Sequence, residues 1–152
     1  MESRLVLTAF ILVTGLFCLL IALLPYANGW HKLARAYRST GAFEGRQWTN
    51  QWAVMRGGLA YNPTAPWSLT VGADARGLRL SVVLFSLPIG HEPLFIPWAH
   101  VTAKDVPARF SALAGVELRF AGAGDVPFRI STQLAERIAE EAGSRFRWGP
   151  GK

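Results

Sequence analysis

Twenty consecutive residues, Leu5 to Leu24, carry no charge. As a helix rising about 1.5 Å per residue they span roughly 30 Å, the thickness of a bilayer's hydrocarbon core. Nothing else in the 152-residue chain restricts its fold so strongly. A cleaved export signal has a shorter apolar region, about 7–15 residues, with small residues at the cleavage point. Here Pro25-Tyr26-Ala27 sets proline where a small residue is wanted. The stretch is therefore read as an uncleaved transmembrane anchor, residues 1–27, with a cleaved signal as the alternative. Pro25 is expected to end the helix. Tyr26 and Trp30 are expected at the lipid–water boundary, where amphipathic rings are favoured.

Basic residues near the span set its orientation. Arg4 precedes it, while Lys32, Arg35 and Arg38 follow, with Arg46 just beyond. An excess of Lys and Arg marks the cytoplasmic side, so the carboxyl-terminal part is expected in the cytoplasm. The one cysteine, Cys18, lies in the span, which excludes an intramolecular disulfide and fits a reducing compartment. Thr14, Cys18 and Ala22 recur every four residues and form a small-residue stripe. Such a stripe lets a second helix approach closely, so oligomerisation through the span is one expectation; small residues facing lipid by chance is the other.

Residues 28–42 form a juxtamembrane segment. Trp30, Leu33, Ala34 and Tyr37 follow helical spacing on one side, and His31, Lys32, Arg35 and Arg38 take the other. Asn28 is the expected N-cap. Two readings of this amphipathic helix stay open. Either its aromatic side lies in the interface while Lys32, Arg35 and Arg38 meet anionic headgroups, or the aromatic side packs onto the following domain.

From Phe43 the texture changes to short apolar runs broken by glycine, proline and aspartate. Ser68 to Val71 and Leu78 to Phe85 flank Ala73-Asp74-Ala75-Arg76-Gly77, which predicts a hairpin. Gln51 to Tyr61 mixes a strand with a Gly57-Gly58 break. Leu94 to Val101 predicts an edge or interrupted strand, because Pro93 and Pro97 cannot donate to a ladder. Val116, Leu118 and Phe120 alternate with Glu117 and Arg119, and the chain turns at Gly122-Ala123-Gly124-Asp125 into Val126 to Ile130, a second hairpin. After Ser131 the period becomes helical: Leu134, Ala135, Ile138, Ala139 and Ala142 share a face, and Gly143 stops the helix. The predicted class is α+β, an antiparallel, strongly bent sheet capped by a C-terminal helix. Residues 43–143 are enough for one core, leaving 144–152 as a tail.

Strands followed by a terminal amphipathic helix is also the order of pleckstrin-homology-like domains of GRAM type. Gly77-Leu78-Arg79-Leu80-Ser81, then Pro93-Leu94-Phe95-Ile96-Pro97-Trp98-Ala99-His100-Val101, resembles a course found in a group of small bacterial membrane-anchored proteins of that type. Gly29-Trp30-x-x-Leu33-Ala34-x-x-Tyr37 is similar to their lead-in. The resemblance covers about residues 29–142 and departs at Ala99 and His100, where the group has serine and an acidic residue. It implies a partial barrel closed by the helix, a bacterial inner-membrane location, and an adaptor rather than an enzyme.

Catalytic motifs for zinc proteases, serine hydrolases and phosphate-binding loops are absent, as is a spaced Cys/His set, so no catalytic residue, metal or cofactor is expected. His91, Glu92 and His100 are the one cluster with acid-base or ligand potential, and a small enzyme using His91 and His100 is a minor alternative. The net charge of +6 lies entirely beyond the anchor: from Asn28 onward there are 15 Lys plus Arg against 9 Asp plus Glu. This favours acidic partners, but the arginines are scattered and nucleic acid is not expected. Arg145-Phe146-Arg147-Trp148 is the compact basic-aromatic run; it either meets a partner or folds its aromatics onto the sheet. Trp48, Trp52, Trp67 and Trp98 are expected to pack in or around the core. The apolar stretch 84–98 marks Phe85, Leu94, Phe95 and Trp98 as candidate partner contacts. The expected function is a single-pass, non-catalytic adaptor binding a protein partner or the adjacent lipid, or alternatively an accessory subunit of a larger membrane complex.

Overall fold

A computed structural model describes residues 2–55, 60–61, 67–84, 91–107, 115–124 and 126–148. Gly57, Gly58 and the stretch 85–90, with Phe85, lie outside the described residues. The architecture is α+β: an N-terminal apolar helix, antiparallel sheets and a C-terminal helix.

Helix α1 is Glu2–Ala27. Its segment Arg4–Leu23 has a mean hydropathy of 2.8, is 0% buried, and is long and apolar enough to cross a membrane. The helix runs two residues past Pro25, which therefore does not end it. The reason is local: proline removes only the bond its own N–H would give to the Ile21 carbonyl, and the N–H groups of Tyr26 and Ala27 remain to continue the last turn. Helix α2, Trp30–Tyr37, follows after only Asn28 and Gly29.

Among the described residues nine strands form two sheets. β1 (Arg46–Gln51), β4 (Trp67–Ala73), β5 (Gly77–Leu84) and β6 (Leu94–Pro97) build the first, in the order β1-β4-β5-β6. β2 (Ala53–Val54), β3 (Ala60–Tyr61), β7 (Val101–Val106), β8 (Gly115–Phe120) and β9 (Phe128–Ile130) build the second, in the order β3-β2-β9-β8-β7. Both expected hairpins are present: β4 pairs with β5 from Trp67↔Leu84 to Ala73↔Leu78, and β8 pairs with β9 from Val116↔Ile130 to Leu118↔Phe128.

The chain crosses between the sheets at two corners. At the first, three steps on β1 match two on β4 between Trp48↔Val71 and Gln51↔Leu69. The extra residue is a bulge that bends the strand. Asn50 takes a φ of 54° there, and its Oδ1 accepts from the Ser68 hydroxyl at 2.7 Å. Three residues later Ala53 pairs with Ile130 in the other sheet. At the second corner β6 stops at Pro97, a single turn covers Trp98–His100, and β7 begins at Val101. The predicted interrupted strand is thus one strand in each sheet.

The inner faces of both sheets meet in one core, with Leu69, Leu78, Leu80 and Ile96 from the first and Leu118, Phe120, Phe128 and Ile130 from the second. Helix α3, Thr132–Ala142, covers it with Leu134, Ala135, Ile138 and Ala142. Ser131 caps α3 by accepting from the Leu134 N–H at 3.2 Å, and Gly143 takes a φ of 59° at its end. Two expected boundaries move. Helix α2 belongs to the domain, since Trp30, Leu33 and Tyr37 are core residues. So does the start of the tail, because Phe146 is 5% exposed and Trp148 packs against the core.

Candidate functional site

The junction between α1 and the domain is built from buried residues. Asn28 is 1% exposed, and its Oδ1 accepts the Trp30 N–H at 2.9 Å. The cap position itself is Gly29, with φ of 87°, so Asn28 caps from one residue further out than expected. A Cβ on Gly29 would lie 3.2 Å from both Val126 methyl groups, a second reason for glycine there. Trp30 is fully buried: its indole N–H donates to the Glu92 carbonyl at 3.1 Å and its ring meets His91 edge-on at 5.2 Å. It faces protein instead of the headgroup layer, which corrects the expected interfacial role of this one residue. The amphipathic face is satisfied by the domain because each polar edge of its aromatics finds a partner there. Tyr37 shows the same, its hydroxyl accepting the Gly122 N–H at 2.7 Å and lying 3.3 Å from His100 Nδ1.

The outer side of α2 is basic. Lys32 and Arg35 are exposed, and neither meets a carboxylate among the described residues. Arg38 forms a bidentate pair with Glu92, so its charge is locally neutralised and the free basic stripe shortens to Lys32 and Arg35. Tyr26 stays exposed, stacked on His31 with centroids 4.9 Å apart. Thr14, Cys18 and Ala22 are exposed along α1.

The candidate partner contacts separate. Leu94 is 0% and Trp98 7% exposed, so both are core residues. Alternation along β6 turns Leu94 and Ile96 inward, and Trp98 is held at the corner, its indole N–H donating to the Asp74 carbonyl at 2.8 Å. Phe95 is on the outer face, half-buried, with Phe43 6.4 Å away and the Arg76 guanidinium 5.4 Å above its ring. Arg79 sits over Phe43 at 5.7 Å and donates to the Gly41 carbonyl. The turn beside Trp98 is fixed by Asp74. Burial works against its charge, but the Arg76 and Gly77 N–H groups and the Arg76 guanidinium outweigh it and hold the carboxyl below its ordinary value of 3.8.

His91 and His100 contact opposite ends of α2, at Trp30 and Tyr37. Two helical turns separate those contacts, about 10 Å, so the two imidazoles do not share one site. Among the described residues no group of three or more His, Cys, Asp and Glu is placed to hold a metal.

A cleft of about 690 Å³ lies between the second corner and the C-terminal segment, lined by Trp98, Ala99, Val101, Thr102, Ala103, Ser144, Arg145 and Arg147. Its outer wall is pinned by the indole N–H of Trp148, which donates to Asp105 Oδ1 at 2.8 Å, and by Phe146 against Trp98 at 5.7 Å. The basic-aromatic run was visible in the sequence; its juxtaposition with β7 was not. No family model matches the chain, and no curated protein or solved structure matches it either.

Proposed function

We propose that this chain is a single-pass, membrane-tethered recognition protein with no catalytic role, its pleckstrin-homology-like domain held on the cytoplasmic face of a bacterial inner membrane and binding a protein partner there. One observation carries the tether. Twelve large apolar side chains between Leu5 and Leu23 are each at least half exposed. At about 1.5 kcal/mol or more apiece, leaving them in water costs on the order of 20 kcal/mol, above the roughly 5–15 kcal/mol that holds a whole domain together. Lipid removes that cost without any protein cover.

The junction supports an uncleaved anchor. Processing favours exposed, mobile chain, whereas Asn28 and Gly29 are buried between α1 and the domain. The free stripe of Lys32 and Arg35 supports the cytoplasmic side and a headgroup contact, worth about 1 kcal/mol per basic residue beside an anionic surface. The antiparallel strands closed by a terminal amphipathic helix support the pleckstrin-like assignment. With a C-terminal tag on the full chain, protease added to inverted inner-membrane vesicles should remove the tag, while intact spheroplasts should protect it. Digestion in spheroplasts would reverse the orientation, and recovery of the chain outside the membrane fraction would end the proposal.

A further inference from the structure

We propose that the cleft beside β7 takes an acidic, extended peptide segment of a partner protein, which adds as a strand to the free edge of β7 and sets its carboxylates against Arg145 and Arg147. This rests on reading the domain as a recognition module, and it names the site and the chemistry of the partner.

The edge comes first. β7 closes the second sheet: it pairs with β8 on one side, and among the described residues no strand pairs with the other. An edge strand leaves N–H and C=O groups of alternate residues pointing outward, and these are a template for another extended chain. Val101, Thr102 and Ala103 line the cleft, so about three residues of added strand fit against it at roughly 3.4 Å each. The volume, about 690 Å³, is in the range of ligand sites.

Charge selects the occupant. Arg38, Arg76, Arg119 and Arg129 each face a carboxylate. Arg145 and Arg147, which line the cleft, face none among the described residues. The carboxylate of β7 itself, Asp105, is engaged by Trp148. An alternating row of backbone donors and acceptors suits a peptide, since a phosphate can use only the N–H donors and an acyl chain can use neither. The site is also preformed, because the buried Phe146 and the Trp148 hydrogen bond fix the outer wall, so the ordering cost of binding falls on the peptide and little of it on the domain.

The test is a fluorescence-anisotropy titration of the full chain in nonionic detergent with a fluorescein-labelled peptide of alternating glutamate and valine. Saturable, salt-sensitive binding is expected, weakened about tenfold or more by Arg145→Glu with Arg147→Glu. Both arginines are exposed, so the variant's unfolding midpoint should match the parent's. N-methylation of alternate peptide residues should abolish binding with every charge in place. Unchanged affinity in the double variant, equal binding of the N-methylated peptide, or no binding would overturn the proposal. Displacement of the peptide by phosphatidylserine vesicles in the parent but not in the double variant would assign the cleft to lipid and also overturn it. Carbonate-washed membranes separate the two levels: a chain retained there without peptide affinity loses the cleft and keeps the tether, and a released chain with intact affinity does the reverse.

Discussion

At Gly29 the chain leaves α1 and enters the domain with φ of 87°, and a Cβ there would lie 3.2 Å from both Val126 methyl groups. Gly29→Ala forces an L side chain into the left-handed region and against two methyl groups, and should cost about 1–2 kcal/mol of domain stability. Gly15, inside α1, has open space around the position a Cβ would take, and Gly15→Ala should leave denaturant unfolding in micelles unchanged. Asp74 makes a pH prediction. Its folded carboxyl titrates below the ordinary value of 3.8, so the stability it supplies is complete above that value and is lost as pH falls through the folded pKa. Thermal midpoints of the parent and Asp74→Asn should differ at neutral pH and converge in acid; a constant gap would contradict the assignment. Little of this was legible in the residue order. The 73–77 turn was visible from its residue types, but the positive φ of Asn50 and the Val126 contact of Gly29 depend on chain that is distant in sequence.

Helix α2 tests whether an amphipathic stripe faces lipid or protein. Periodicity located Trp30, Leu33, Ala34 and Tyr37 on one face, yet it is silent on what that face meets, because bilayer and core are equally apolar. The deciding contacts are long-range: Trp30 with Glu92, and Tyr37 with Gly122 and His100. Leu33 is fully buried, so Leu33→Ala should destabilise the domain by about 3 kcal/mol in urea unfolding followed by tryptophan emission. An interfacial helix would instead leave the midpoint unmoved. At the other end, Ser131→Ala should cost about 1 kcal/mol through loss of the α3 cap; the hydroxyl-to-Leu134 bond was foreseeable because a cap acts within its own turn. The cleft was not foreseeable, since it joins Trp98–Ala103 to Ser144–Arg147 across a long stretch of chain that carries no local signal.

For the whole molecule, the two-residue buried junction means that α1 and the domain are joined without a slack linker, and Lys32 and Arg35 are held close to the point where α1 ends. Hydropathy made the long apolar helix α1 legible, and alternation with turn chemistry made most of the strands legible. The division into two sheets was not, because it follows from the bulge at Asn50 and the turn at Trp98–His100. The proposed tether requires α1 to remain attached and in lipid. Intact mass of the chain recovered from carbonate-washed membranes measures both properties at once. Full-length protein in the pellet, with Glu2 to Ala27 still attached, is the predicted result; a product beginning near Asn28, or full-length chain in the supernatant, would contradict it.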